Sequence, residues 1–190
     1  MQRPLPLPKL LKPYAKPPKI VVADASRRES FTYPLSLLRI MNIVIRPTLA
    51  SEHHSLEALQ WRASLANEGD REALLAQHDA IELPLQQIIQ GEVFVAERAN
   101  MIVGFFNMVP REDGDIELDG LFVEPSYWRQ GIGQLLVEYS ARKAKKMGAK
   151  FLHVIGNPHA EQFYIACGFE MLGSQQMQLG IGLLMRLKLQ

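Results

Sequence analysis

The chain contains, at residues 121–136, the stretch Leu-Phe-Val-Glu-Pro-Ser-Tyr-Trp-Arg-Gln-Gly-Ile-Gly-Gln-Leu-Leu. An apolar run ends at Pro125, a polar turn leads to Gly131 and Gly133, and an amphipathic segment follows. This pattern predicts a strand, a glycine-rich turn and a helix. Because such a turn presents bare backbone N–H groups at a helix N-terminus, it suits phosphate anions. We therefore expect an anionic, phosphate-bearing ligand here.

Two common nucleotide-binding motifs do not fit this turn. A dinucleotide fingerprint requires Gly or Ala three residues after its second glycine, where this chain has Leu136. The phosphate loop of nucleoside triphosphatases requires Gly-Lys-Ser or Gly-Lys-Thr, which the sequence lacks. A second Gly-Ile-Gly, at residues 180–182, lies only eight residues before the C-terminus, so we expect a turn or bulge there.

The composition is that of a globular protein. The 190 residues are 47% apolar and carry a net charge of +1, which favours neither a nucleic acid nor a membrane surface as a partner. The single cysteine, Cys167, rules out an intramolecular disulfide and a multi-thiolate metal site, and it suits a reducing cytosol. No apolar run approaches a membrane-spanning length. We expect a cytoplasmic protein without a metal.

Residues 1–40 differ from the rest of the chain. They hold seven of the twelve prolines and eight basic residues against two acidic ones, so their net charge is +6 and that of residues 41–190 is −5. Such a segment is typical of a disordered or polyproline-like tail. Two other interpretations stay open: a segment upstream of a true start at Met41, and a basic docking or targeting segment. We expect the folded domain to be residues 41–190.

From residue 41 onward the apolar periodicity predicts the element order βαα-ββ-βα-βαββ, with one parallel crossover at the glycine turn. This is an α/β (α+β) arrangement around a mixed sheet. The predicted strands are 42–46, 92–97, 101–109, 116–123, 151–155, 169–172 and 183–189, and the predicted helices are 49–67, 70–78, 133–147 and 158–166, with a short helical turn at 85–90.

The region from 41 to 190 resembles the GNAT superfamily of N-acetyltransferases. The family's central signature follows a strand that ends in Val-x-Pro, and a second signature lies downstream. The matching residues are Val123-Glu124-Pro125, Arg129-Gln130-Gly131-Ile132-Gly133, Asn157-Pro158-His159-Ala160, Phe163-Tyr164 and Gly168-Phe169. One position departs from the pattern, because Trp128 stands where the family usually has Arg or Gln. The resemblance implies a mostly antiparallel sheet with one parallel strand pair splayed at the cofactor site.

The resemblance also implies acetyl-coenzyme A as the acyl donor. Its pyrophosphate would lie against the N–H groups of the glycine turn, and its pantetheine arm would add along residues 121–123 like a strand. Asn157 would cap its helix and bond the pantetheine arm. The cofactor-binding residues implied are Leu121, Phe122, Val123, Arg129, Gln130, Gly131, Ile132, Gly133, Gln134, Asn157, Phe163 and Tyr164.

Acetyl transfer to an amine needs a base, because an amine with a pKa near 10.4 is almost fully protonated at neutral pH. Glu117 and Asp119 lie on the strand before the turn, and strict alternation places both on the face of Leu121. The resemblance selects Glu117 as the base, the Leu121 N–H as oxyanion donor and Tyr164 as the acid that protonates the leaving sulfur. Asp119 is the alternative base. Core packing is the other interpretation of Tyr164, and it suits Phe163 better.

The leading hypothesis is an N-acetyltransferase in which a primary amine attacks the thioester directly in a ternary complex. The alternative is a non-catalytic acyl-coenzyme A-binding module for sensing or regulation. The acceptor is a small-molecule or peptide amine, or a protein N-terminus or lysine, and the protein is a monomer or homodimer.

Overall fold

A computed structural model describes residues 42–66, 71–76, 82–177 and 180–190. The tail expected at residues 1–40 and the helix ends expected at Asn67, Asp70 and His78 lie outside these ranges.

The described residues form one mixed sheet with helices packed on both faces. The strand order is β1-β2-β3-β4-β5-β7-β6, and β4 and β5 are the parallel pair among antiparallel neighbours in the part of the chain that is described. The strands are β1 Ile43–Pro47, β2 Val93–Arg98, β3 Met101–Pro110, β4 Ile116–Val123, β5 Phe151–Gly156, β6 Glu170–Met177 and β7 Gly180–Lys188. The helices are α1 His53–Leu65, α2 Arg71–Ala76, α3 Leu85–Ile89, α4 Ile132–Lys146 and α5 Glu161–Ala166. The predicted fold class is confirmed.

Local sequence signals account for the ends of the elements around the glycine turn. Gly148 and Gly168 follow α4 and α5 with φ values of +92° and +90°, a conformation that glycine adopts without steric cost. The side chain of Asn157 accepts a hydrogen bond from the His159 N–H at 2.9 Å and so caps the short turn that precedes α5. Residues close in the chain therefore define the C-terminal ends of α4 and α5 and the start of the turn before α5.

Two apolar clusters cover the two faces of the sheet. Phe106 belongs to the cluster beneath α4, whereas its neighbour Phe105 belongs to the cluster beneath α1 and α3, because successive strand residues point to opposite faces. Both phenylalanines are fully buried. The sheet is thus fixed from both sides, and β4 lies at its centre.

A β-bulge in β4 changes the alternation that the sequence suggests. Asn107 of β3 lies opposite Gly120, whereas the next residue, Met108, lies opposite Leu118, so Asp119 is the extra residue. As a result Leu118 and Leu121 both pack against the cluster beneath α4, although strict alternation would separate them. The expectation that Glu117, Asp119 and Leu121 share one face is therefore wrong, since the bulge shifts the pattern by one residue.

Candidate active site

The parallel strands β4 and β5 separate soon after they begin. Their pairing consists of Ile116 with Leu152 and Glu117 with His153. Asp115 holds this end together, because its carboxylate accepts hydrogen bonds from the N–H groups of Lys150 at 2.8 Å and Phe151 at 2.9 Å. Beyond this point the two strands diverge, and one edge of β4 is left open.

The open edge of β4 carries the backbone groups of Leu121 and Val123. Glu124 donates its N–H to the Val103 carbonyl at 3.0 Å, and Phe122 lies opposite Phe105 of β3. Because the direction of backbone hydrogen bonding alternates along a strand, the groups of Leu121 and Val123 point away from β3 and into the gap. The gap can therefore accept an extended chain that pairs with these two residues.

A cleft of about 1200 Å³ occupies the gap and extends to the glycine turn. Most residues that the sequence analysis assigned to the site line this cleft. They are Leu121, Phe122, Val123, Arg129, Gly131, Ile132, Gly133, Gln134, Asn157, Phe163 and Tyr164. Glu117 and Gln130 do not line it.

The glycine turn enters α4 through two left-handed residues, Arg129 with φ +58° and Gly131 with φ +85°. The Leu135 N–H bonds to the Gly131 carbonyl at 3.0 Å and begins the helical ladder. The N–H groups of the first helical turn, from Ile132 to Gln134, precede that bond, and they form the positive end of the helix dipole. These three residues line the cleft, and N–H groups at a helix N-terminus can bind an anion.

Close packing holds this turn in place. A Cβ atom on Gly133 would lie 3.1 Å from the ring of Phe163, so a glycine allows α4 to approach α5. Gln130 accepts a hydrogen bond from Arg98 at 3.3 Å and donates one to the Ser126 carbonyl at 3.2 Å. The Gln130 side chain thus stabilises the turn through these two bonds, and it does not line the cleft.

Trp128 makes a contact that the sequence did not reveal. Its indole N–H donates a hydrogen bond to the Val123 carbonyl at 2.7 Å, on the open edge of β4. The side chain is 39% exposed and lines the cleft. The only signal in the sequence was the departure of this position from the family pattern, and that signal did not indicate the bond.

The two acids of β4 have different surroundings. Glu117 accepts a hydrogen bond from Arg111 at 2.9 Å and lines a small neighbouring cavity with Arg111 and Asp113. Asp119, at the bulge, lines the main cleft. Asp119 is therefore the acid that is open to a ligand in the cleft, whereas Glu117, the acid implied by the resemblance, is paired with a cation outside it.

Asn107 and Gln87 position the Asp119 carboxylate. Asn107 is buried and donates to Asp119 at 2.6 Å, and it also donates to Gln87 at 2.9 Å. Gln87 in turn donates to Asp119 at 3.4 Å. Neither residue was singled out from the sequence, because their contact with Asp119 depends on the bulge and on the placement of α3.

Tyr164 belongs to the core and also lines the cleft. It is 7% exposed, and its ring lies edge-on to Phe163 and Phe169 with centroid distances of 5.1 and 5.4 Å. Burial, with a smaller effect of Cys167, raises the pKa of the phenol well above its usual range. The phenol therefore stays protonated at neutral pH, and the raised pKa makes it a weaker acid than a phenol in water. Phe163 is only partly buried, so the expectation that it is the better core residue is wrong.

In the part of the chain that the structure covers, the longest helices are too short and too polar to cross a lipid bilayer.

Comparisons with known proteins agree with this geometry. Residues 90–171 match the family model of the acetyltransferase (GNAT) domain. A GCN5-related N-acetyltransferase from Rhodopseudomonas palustris superposes with a TM-score of 0.65 at 21% identity, covering 77% of this chain and 95% of that one. The PaiA N-acetyltransferase from Thermoplasma acidophilum, solved in complex with coenzyme A, has a TM-score of 0.61 at 20% identity, over 78% and 99% of the two chains.

A third similar structure is the ribosomal-protein-S18-alanine N-acetyltransferase from Escherichia coli. Its TM-score is 0.58 at 19% identity, and the match covers 77% of this chain and 94% of that one. At these identities the structural likeness shows the fold. Residues 90–171 thus match the acetyltransferase (GNAT) domain, and the described residues have the fold of these acetyltransferase structures.

Proposed function

We propose that this protein is an acetyl-coenzyme A-dependent N-acetyltransferase. The observation that carries the proposal is the open edge of β4 beside the first turn of α4, within one cleft. The edge suits an extended arm that carries amides, and the helix N-terminus suits a pyrophosphate, and coenzyme A contains both groups. The similar Thermoplasma protein was solved with coenzyme A.

Several residues of this chain have separate roles in binding the cofactor and stabilising the developing charge. The N–H groups of residues 129–134 hold the pyrophosphate, and the backbone of Val123 orients the pantetheine arm. The Leu121 N–H donates a hydrogen bond to the thioester oxygen as negative charge develops there. Asn157 lines the same cleft and supports the arm.

Two further residues would handle the protons. Asp119 accepts a proton from the acceptor ammonium, because it is the acid of β4 that lines the cleft. Glu117 would have to leave Arg111 to take that role. The neutral amine nitrogen then bonds to the acetyl carbon, the carbon–sulfur bond breaks, and Tyr164 donates its proton to the departing thiolate. The second proton that the nitrogen loses on becoming an amide passes through water to the Tyr164 phenolate, and Asp119 releases its own proton to solvent. Attack is direct, so no acetyl group is attached to the protein at any stage.

A thiol-release assay with acetyl-coenzyme A and a panel of primary amines tests this function. We expect thiol release that depends on the amine, together with acetylated amine detected by mass spectrometry in equal amount. Binding of coenzyme A without turnover of any amine would overturn the proposal and would favour a non-catalytic acyl-coenzyme A-binding module. An acetylated protein trapped in the absence of amine would contradict direct attack.

We also propose that residues 41–190 hold the complete acetyltransferase domain. The structural matches cover 77–78% of the chain, close to the share that these residues represent. A protein beginning at Met41 should bind coenzyme A with the affinity of the full chain. A large loss of affinity would show that residues 1–40 take part.

A further inference from the structure

The acid Asp119 has a fixed position relative to the proposed reaction centre. It precedes Leu121 by two residues, at the bulge of β4, and both residues line the same cleft. The buried Asn107 donates to it at 2.6 Å, so the carboxylate is oriented by a group that packing holds in place. A cation bound to Asp119 would lie near an acyl group held at Leu121.

The charges that line the cleft are separated along β4. Among the described lining residues Asp119 is the one carboxylate, and it lies before Leu121. Arg129 belongs to the glycine turn beyond Val123, and His159 follows the divergent end of β5. Arg62, which is on α1 near the end of β4, is already paired with Glu124 at 2.7 Å. The cations therefore lie at the phosphate end, away from Asp119.

A second acid reinforces the negative charge near Asp119. Burial raises the pKa of Glu92, and the charge of Asp119 raises it further, which places the two carboxyl groups within electrostatic reach of each other. A carboxylate on the acceptor would meet this negative field with no cation of the described lining beside it. An ammonium without an adjacent carboxylate would be attracted.

The other walls of the cleft are mostly apolar. Ala63 of α1 and Leu74 of α2 line it on the helical side. Met177, the last residue of β6, and Ile181, the second residue of β7, also line it and are 40% and 56% exposed. Exposed apolar side chains that line a cleft are typical of a surface for an apolar ligand.

We propose that the acceptor is a primary amine carried on an apolar group with no carboxylate next to the amine, so that free amino acids are poor acceptors. This inference rests on the proposed acetyltransferase function. It names the chemical class of acceptor that the charges and the apolar walls would recognise.

Matched amines test the inference at a fixed, saturating concentration of acetyl-coenzyme A. Phenethylamine and L-phenylalanine differ by one carboxylate, and L-phenylalaninamide replaces that carboxylate by a neutral group. We calculate kcat/KM from the concentration of the unprotonated amine. We expect it to be at least about tenfold higher for phenethylamine than for L-phenylalanine, and the value for L-phenylalaninamide should be close to that for phenethylamine. Equal rates, or a preference for phenylalanine, would overturn the inference while leaving the acetyltransferase function intact.

A variant shows whether Asp119 causes the preference. In Asp119→Asn the ratio of kcat/KM for phenethylamine over phenylalanine should fall at least about threefold, and the ratio cancels any general loss of activity. The exposed Glu112→Gln should keep the original ratio. An unchanged ratio in Asp119→Asn would overturn the role of Asp119.

If Asp119→Asn shows no turnover, calorimetric binding of phenethylamine to the complex with coenzyme A gives the same comparison. Weaker binding than to the unaltered protein is expected, and equal binding would contradict the inference. If the protein is not an acetyltransferase, no amine in the panel will release thiol. That result differs from each of the outcomes above, so the two failures can be told apart.

Discussion

Trp128 donates its indole N–H to the carbonyl oxygen of Val123 at 2.7 Å. This oxygen lies on the edge of β4 that, among the described residues, is unpaired after Glu117. This carbonyl is the acceptor that a pantetheine amide would use. The indole occupies one of the two lone pairs of this oxygen and lines the cleft, so a pantetheine arm would have to share the oxygen with it or displace it.

Replacing Trp128 by Phe should strengthen the binding of coenzyme A. The change removes the competing donor and keeps an aromatic ring, and one hydrogen bond of about 0.5–1.5 kcal/mol corresponds to roughly threefold to tenfold in Kd. Isothermal titration of Trp128→Phe measures this effect. Trp61→Phe is the matched control, since Trp61 is absent from the described lining of the cleft. Weaker binding by Trp128→Phe would show that the indole supports the cofactor.

Replacing Gly133 by Ala should weaken the binding of coenzyme A by roughly tenfold, equivalent to about 1.4 kcal/mol. The new methyl group would lie 3.1 Å from the Phe163 ring, so the first turn of α4 or the ring has to shift. Glu138→Gln is the control, because Glu138 is an exposed residue of the same helix and is absent from the described lining of the cleft. Unaltered affinity in Gly133→Ala would mean that this turn does not hold the ligand.

Replacing Tyr164 by Phe should lower kcat by about 100-fold while the Kd of coenzyme A stays nearly constant. The ring and its packing are retained, and only the proton donor is lost. Because burial raises the pKa of this phenol, the donor stays protonated in the unaltered protein, and kcat should show no loss from its ionisation up to pH 9. A normal kcat in the variant would assign Tyr164 to the core alone.

Replacing Asp115 by Ala should lower the free energy of unfolding by about 1–2 kcal/mol at pH 7, since the carboxylate accepts two backbone N–H bonds near the surface. Burial alone would raise the pKa of Asp115, but the bonds from Phe151 and Lys150, together with His153, outweigh it and lower the pKa from its ordinary value. The carboxylate therefore contributes its stabilisation above about pH 4 and loses it as the pH falls through the lowered value.

Chemical denaturation of Asp115→Ala and of the exposed Glu112→Gln at several pH values measures this contribution. The difference between Asp115→Ala and the unaltered protein should shrink below pH 4. A difference that grows on acidification would contradict the assigned direction of the pKa shift.

Local patterns in the sequence were sufficient for the limits of most elements, but not for the last two strands. β6 extends to Met177, and β7 begins at Gly180, so the turn or bulge expected at residues 180–182 is wrong. The strand before Val123, the glycine turn and the caps at Asn157 and Gly168 depend on residues close together in the chain, so period and turn chemistry predict them. The bulge at Asp119 could not be predicted in this way, because it is a shift of register between β3 and β4. The faces assigned to Glu117 and Leu121 failed for that reason.

The contacts of individual side chains were predictable to a smaller extent. Glu117 has its partner Arg111 six residues away, across the turn between β3 and β4, and the motif that selected Glu117 carries no information about it. Asn107 and Gln87 reach Asp119 from two other elements. Such contacts depend on tertiary packing, which a single sequence does not specify.

The most direct test of the site is a crystal structure of the protein with coenzyme A bound. We expect the pyrophosphate oxygens within hydrogen-bonding distance of the N–H groups of residues 131–134, and the pantetheine arm bonded to the backbone of Val123. Coenzyme A bound elsewhere, or β4 and β5 paired along their whole length in the complex, would contradict the account.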